Sequence, residues 1–92
     1  MAKAAESSDG NDLGLAALGE TIRRLRNERG IAPSGLAFDA EIDDSTLVRI
    51  EEGKSEPRWG TLRRIARGLD VELPKILGDA EALEAEMRAK GS

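Results

Sequence analysis

Aliphatic residues recur at helical spacing along the centre of the chain, in short stripes cut by glycine and proline, and no stretch alternates with period two over a useful length. That pattern excludes a sheet and leaves a string of short helices. Leu18, Ile22, Leu25 and Arg29 keep the i, i+4, i+7, i+11 spacing, which puts three aliphatics on one face of a first helix stopped by Gly30. Pro33 suits the first turn of a second helix, where its missing N–H costs nothing, and Leu36, Ala37 and Ala40 line one side of it. Asp43 is placed to cap a third helix, with Asp44 in its first turn, Leu47 and Ile50 facing inward and Gly53 as the stop. Leu62, Ile65, Ala66 and Leu69 mark a fourth, amphipathic helix. Leu73, Ile76 and Leu77 predict a short fifth helix ending at Gly78, and Asp79 a cap for a sixth carrying Leu83 and Met87.

Ninety-two residues allow one compact domain and exclude a two-domain enzyme. A chain this short buries only about 60–65% of its unfolded surface. Its aromatics are Phe38 and Trp59 alone, so small and branched aliphatics must fill the core, with Trp59 expected to cover it beside Leu62. Without cysteine there is no disulfide frame, thiolate metal site or cysteine nucleophile, and without histidine the usual metal ligand and general base are missing. The carboxylates, lysines and hydroxyls that remain form no acid/base constellation, so neither an enzyme nor a cofactor or metal is expected. No apolar run approaches the roughly 20 residues that span a bilayer, and residues 1–12 lack the apolar stretch of a secretory leader. No membrane partner and a cytoplasmic location are therefore expected.

The net charge of −4 is unevenly spread. Residues 1–12 and 79–92 each carry −2, while the interval between is neutral. The expected organisation is a disordered N-terminal arm over 1–12, a helical domain over 13–78 and an acidic helix or tail over 79–92.

The second and third helices are joined by only a few residues around Glu41, Ile42 and Asp43, so they must cross steeply. Here the order of residues becomes specific. The run Leu18-Gly19-Glu20-Thr21-Ile22-Arg23-Arg24-Leu25-Arg26 is followed by Leu36-Ala37 and by Ser45-Thr46-Leu47-Val48-Arg49-Ile50-Glu51-Glu52-Gly53-Lys54. Pro57, Thr61-Leu62-Arg63-Arg64-Ile65-Ala66-Arg67-Gly68-Leu69, Leu73 and Leu77 complete the pattern. The stretch Leu18–Leu77 resembles the Cro/repressor-type (XRE) helix-turn-helix family. The resemblance implies an all-α, five-helix lambda-repressor-like domain, with the C-terminus leaving room for a short extra helix. It also implies a bacterial or phage transcriptional regulator, bound to double-stranded DNA as a homodimer and located on the nucleoid when bound.

In such a domain the third helix, over 43–52, enters the major groove while the second lies across the backbone. Carried over by position, base-edge contacts fall on Asp44, Ser45 and Arg49, with Thr46 and Val48 nearby, and Lys54 and Arg58 meet phosphate or the minor groove. Arg49 can fork onto guanine O6 and N7, and Asp44 can accept from cytosine N4. Family position also pairs Arg26 with Glu51, tying the first helix to the third. The chain departs from the family where Ala32 and Pro33 replace the usual Ser and Gln at the start of the second helix. Glu41 replaces the usual turn Gly, Asp43 the usual Ser cap, and Asp44 a position often held by Gln. The segment 43–52 thus holds four acids against Arg49 alone, a net of −3 that phosphates repel. The departures favour the alternative function, a protein-interaction module on the same scaffold (an antitoxin, anti-activator or bridging co-regulator). Arg23, Arg24, Arg26 and Arg29 form a basic stretch on the first helix that can serve as a phosphate-facing stripe, with Arg24 and Arg29 favoured as solvated charge. Arg63, Arg64 and Arg67 read as an outer face solvated or paired with the acidic ends. Leu73, Ile76, Leu83 and Met87 are the candidate dimer seam.

Overall fold

The computed structural model describes residues 12–91, and among these it holds five helices and no strand. All but one residue of the expected N-terminal arm lies outside the described residues. That one, Asp12, caps α1 (Leu13–Glu28), its carboxylate accepting from the Leu15 N–H at 3.2 Å. At the far end Gly30 turns left-handed, and the Ile31 N–H closes back on the Arg26 carbonyl at 3.1 Å. α2 (Pro33–Ala40) begins on proline, and Ala32 before it supplies no side-chain cap. A three-residue link leads to α3 (Asp44–Glu51), a loop to α4 (Trp59–Leu69), and a short turn to α5 (Leu73–Gly91).

Each helix turns its aliphatic stripe to one centre. Ile22 and Leu25 of α1, Leu36 and Ala37 of α2, Leu47 and Ile50 of α3, Ile65 and Leu69 of α4 and Ile76 of α5 are all buried there. α1 crosses α3 at Gly19, where a Cβ would run into the carbonyls of Ile50 and Glu51. Glycine is needed there for close approach. The second such crossing is at Gly53, whose φ of +76° follows α3 and whose Cβ would stand 2.9 Å from the Ala16 Cα. α4 lies along α2, and Arg64 Nε donates to the otherwise open Ala40 carbonyl at 2.9 Å, satisfying the end of α2.

Four expectations are corrected. The fifth helix does not end at Gly78, and Asp79 caps no sixth: α5 runs unbroken from Leu73 to Gly91. Ile76, Ala80, Leu83 and Met87 continue one stripe across the glycine against α1, and that burial outweighs the ~1 kcal/mol a mid-helix glycine costs. Ile76 leaves the candidate dimer seam, because it is wholly buried in the core. Trp59 does not cover the core. It is 63% exposed at the first position of α4, on the margin of the stripe, and Leu62 fills the inward place. Asp43 stands at the cap position of α3 but its side chain makes no capping hydrogen bond.

Candidate nucleic-acid interface

The two-helix corner is set by the backbone of the link. Glu41 is left-handed, at φ 61° and ψ 42°, and its N–H and that of Ile42 return to the Phe38 and Ala37 carbonyls at 3.1 and 3.0 Å. This geometry, favoured by glycine, costs a glutamate ~1 kcal/mol or more. Asp43 then resumes extended backbone and α3 starts in a new direction.

With Leu47 and Ile50 turned into the core, the rotation of α3 fixes what faces outward. Ser45, Val48, Arg49 and Glu52 stand opposite the buried pair, all exposed. Asp44 is exposed on one flank, and Thr46 is half-buried on the other. Arg49 makes no ion pair among the described residues, so its guanidinium fork is available. Lys54 follows in the loop and is exposed, but its ammonium lies 3.3 Å from Glu52. Arg58, the last residue before α4, is exposed.

The inward edge of α3 carries a different arrangement. Arg26 and Glu51 meet in a bidentate pair, Nε to Oε2 at 2.7 Å and Nη2 to Oε1 at 3.0 Å, while Nη1 donates to the Ile31 carbonyl at 3.0 Å. Both side chains are nearly buried, 10% and 8% exposed. The hydrogen bonds that Glu51 accepts hold the guanidinium above its ordinary pKa, against the desolvation that pulls it down. This pair changes the charge of the helix as a partner meets it. Of the four acids between 43 and 52, Glu51 is neutralised inside and Glu52 is shared with Lys54. Asp43 and Asp44 are left facing solvent, as Arg49 is. The face is far less acidic than the bare count of −3.

Two arginines of α1 are also committed. Arg23 and Arg24 both bind Glu20, at 2.7 and 3.0 Å, so neither stands free as a phosphate stripe. Partial burial pushes the Glu20 carboxyl up, but the two guanidinium groups outweigh it and leave it below its usual value. Beside α3, the helices α1 and α5 border an open groove of about 680 Å³ lined by Ala16, Val48, Leu83 and Met87 together with charged residues such as Arg23 and Lys90. Sequence spacing had put Leu83 and Met87 on one side of a helix but not opposite Val48. That juxtaposition is a product of the α1–α3–α5 packing and leaves no local signal. The same holds for Phe38, which is 82% exposed although it sits in an apolar stretch of α2.

A compact set of five helices, with a tight corner between the second and third and an outward-facing third helix, defines a helix-turn-helix protein. The chain belongs to the helix-turn-helix domain family, whose model matches residues 17–75. The resemblance to the Cro/repressor type agrees with this. The chain is 29% identical over 69 residues to the immunity repressor protein of Bacillus phage phi105, covering 75% of the chain and 48% of that protein. It is 32% identical over 65 residues to the HTH-type transcriptional regulator SutR of Escherichia coli, covering 71% of the chain and 36% of that protein. The chain therefore spans half or less of the length of these relatives. Among solved structures, the clp gene regulator ClgR from Corynebacterium glutamicum has the same fold, with a TM-score of 0.82 at 23% identity over 85% of this chain and 83% of that one. The restriction-modification controller protein C.AhdI from Aeromonas hydrophila gives a TM-score of 0.66 at 27% identity over 67% of this chain and 94% of that one. No helix among the described residues is long and apolar enough to cross a membrane.

Proposed function

We propose that the chain is a sequence-specific, DNA-binding transcriptional regulator that places α3 in the major groove. The observation that carries this reading is the outward line of α3. Ser45 and Arg49 are exposed together on a short helix whose other side is held rigid by Leu47, Ile50 and the Arg26–Glu51 pair. A base-reading side chain needs such a support, since discrimination depends on placing the fork to within a fraction of an ångström. Arg49 supplies the main base readout, toward guanine. Ser45 and Thr46 bond bases or backbone, and Lys54 and Arg58 attract phosphate. Asp44 rejects sites that offer no donor in the groove. This is a binding function, with no reaction and no cofactor, exercised in the cytoplasm.

One recognition helix reads only a few base pairs, so the reading includes a homodimer on two half-sites about one helical turn apart. Leu83 and Met87, half-buried beside Val48, support a seam along α5 now that Ile76 is excluded from it. Selection of genomic fragments by the purified protein, at two salt concentrations, tests the reading. A recurring two-fold motif is expected, with sedimentation at micromolar concentration giving a dimer on it. Exposed Asp43 and Asp44 favour a second reading, a protein-interaction module on the same scaffold. Selection that enriches no motif even at low salt would remove the first reading and favour the second.

A further inference from the structure

The most exposed large apolar side chain among the described residues lies on neither α3 nor the α5 groove. It is Phe38, on the last turn of α2, and with the half-buried Ile42 it borders a depression of about 540 Å³. The other residues lining that depression are Asp39, Glu41 and Asp43. None of these three carboxylates, nor Asp44 beside them, has an ion-pair or hydrogen-bond partner for its side chain among the described residues. Arg64 reaches this corner from α4, and its Nε is taken by the Ala40 carbonyl.

We propose that Phe38 and Ile42, ringed by Asp39, Glu41 and Asp43, form a docking face for an arginine-bearing segment of a partner protein. An isolated phenylalanine on the surface requires no explanation, but one set in a depression among uncompensated carboxylates offers two complementary attractions to one kind of group. A guanidinium can lie flat on the ring while its N–H groups bind the surrounding carboxylates in pairs. Ammonium satisfies the charges but neither stacks as well nor bridges two oxygens, so the face should prefer arginine to lysine. The same charges repel phosphate, so nucleic acid is a poor occupant. The inference goes beyond the DNA reading and stands whether or not α3 enters a groove.

The test is a titration of the full chain with a short fluorescent peptide alternating arginine and leucine, and with its lysine counterpart, followed by anisotropy and by amide chemical shifts. Shifts should gather on residues 38–44, with the arginine peptide bound more tightly. Phe38→Ala should weaken it about 5-fold, and the double change Asp39→Asn with Asp43→Asn about 10-fold at low salt. Phe38 is exposed, so both variants should keep the wild-type melt, and the double change covers the case in which Phe38→Ala does not. The proposal fails if Phe38→Ala binds the peptide as wild type does, or if shifts spread equally to the acids of α5 such as Glu81 and Glu86. It also fails if Phe38→Ala instead weakens DNA binding or dissociates a self-associated species in sedimentation, because the occupant is then DNA or a second copy.

Discussion

Single side chains in this protein draw their roles from what burial does to their charge. Arg26 and Glu51 are each costly to bury alone, and together they satisfy one another through two short hydrogen bonds, with Ile31 taking a further donor. Glu51→Ala would leave a guanidinium buried without its counter-ion. It should cost ~3 kcal/mol or more and lower the melting temperature clearly. An unchanged thermal melt would mean that water already solvates Arg26. Glu41 is the opposite case, exposed and costly for its backbone alone. At φ 61° its Cβ is strained in a way that glycine escapes. Glu41→Gly should therefore stabilise the fold by about 1 kcal/mol, seen as a higher midpoint in urea. A lower midpoint would show that Glu41 makes a favourable interaction which offsets the strain.

At the scale of elements, α3 is short and poorly capped, and it owes its place to its neighbours. Asp43 sits at the cap position without bonding a free N–H, and eight residues cannot form a stable helix in isolation. Leu47 and Ile50 in the core, Gly19 beneath them and the Arg26–Glu51 pair hold it instead. α5 is the longest helix, and its glycine is carried by packing against α1. A Cβ at Gly78 would meet nothing within 4 Å, and the backbone there is helical. Gly78→Ala should then raise stability by about 1 kcal/mol without altering the fold, measurable by calorimetry. Destabilisation would mean that α5 bends or breaks at Gly78 in solution.

At the scale of the whole molecule, the acids and bases of the chain are sorted by the fold. Inward pairing removes Glu51 and neighbouring pairing offsets Glu52, so Arg49 and Arg58 meet a partner with Asp43 and Asp44 as the main opposition. On the proposed function, affinity for DNA is modest and its salt dependence shallow, because few phosphates are neutralised and few counterions released. Arg49→Ala should cost ~1–3 kcal/mol and relax preference at one base position. Lys54→Ala should weaken all sequences alike, by little, since Glu52 already shares its charge. Asp44→Asn should raise affinity for random DNA and narrow the gap to the selected site. Titration of the three variants against a selected and a scrambled site, at two salt concentrations, separates these effects. No change in any of them would move the function of this face to a protein partner.

The helices, their inward stripes and the corner between α2 and α3 are legible in the sequence because they depend on local periodicity, on proline and glycine, and on residue order. Leu36, Leu47, Ile50, Ile65 and Leu69 could be assigned to the core from spacing alone, and Arg26 could be matched with Glu51 from the family pattern. What lay beyond local pattern was decided by packing. Gly78 reads as a stop, and only the α1 surface beneath it makes a continuous α5 more favourable. Trp59 reads as a core aromatic, and only the rotation of α4 turns it to solvent. The four acids of 43–52 read as one repulsive patch, because a count of charges cannot show which are buried and paired. Phe38 carries no local signal that marks it as a surface residue, and it lies outside because aliphatics from all five helices close the core without it. Local sequence sets which residues share a helix face, whereas contacts between residues far apart in the chain set which faces are covered and which charges remain.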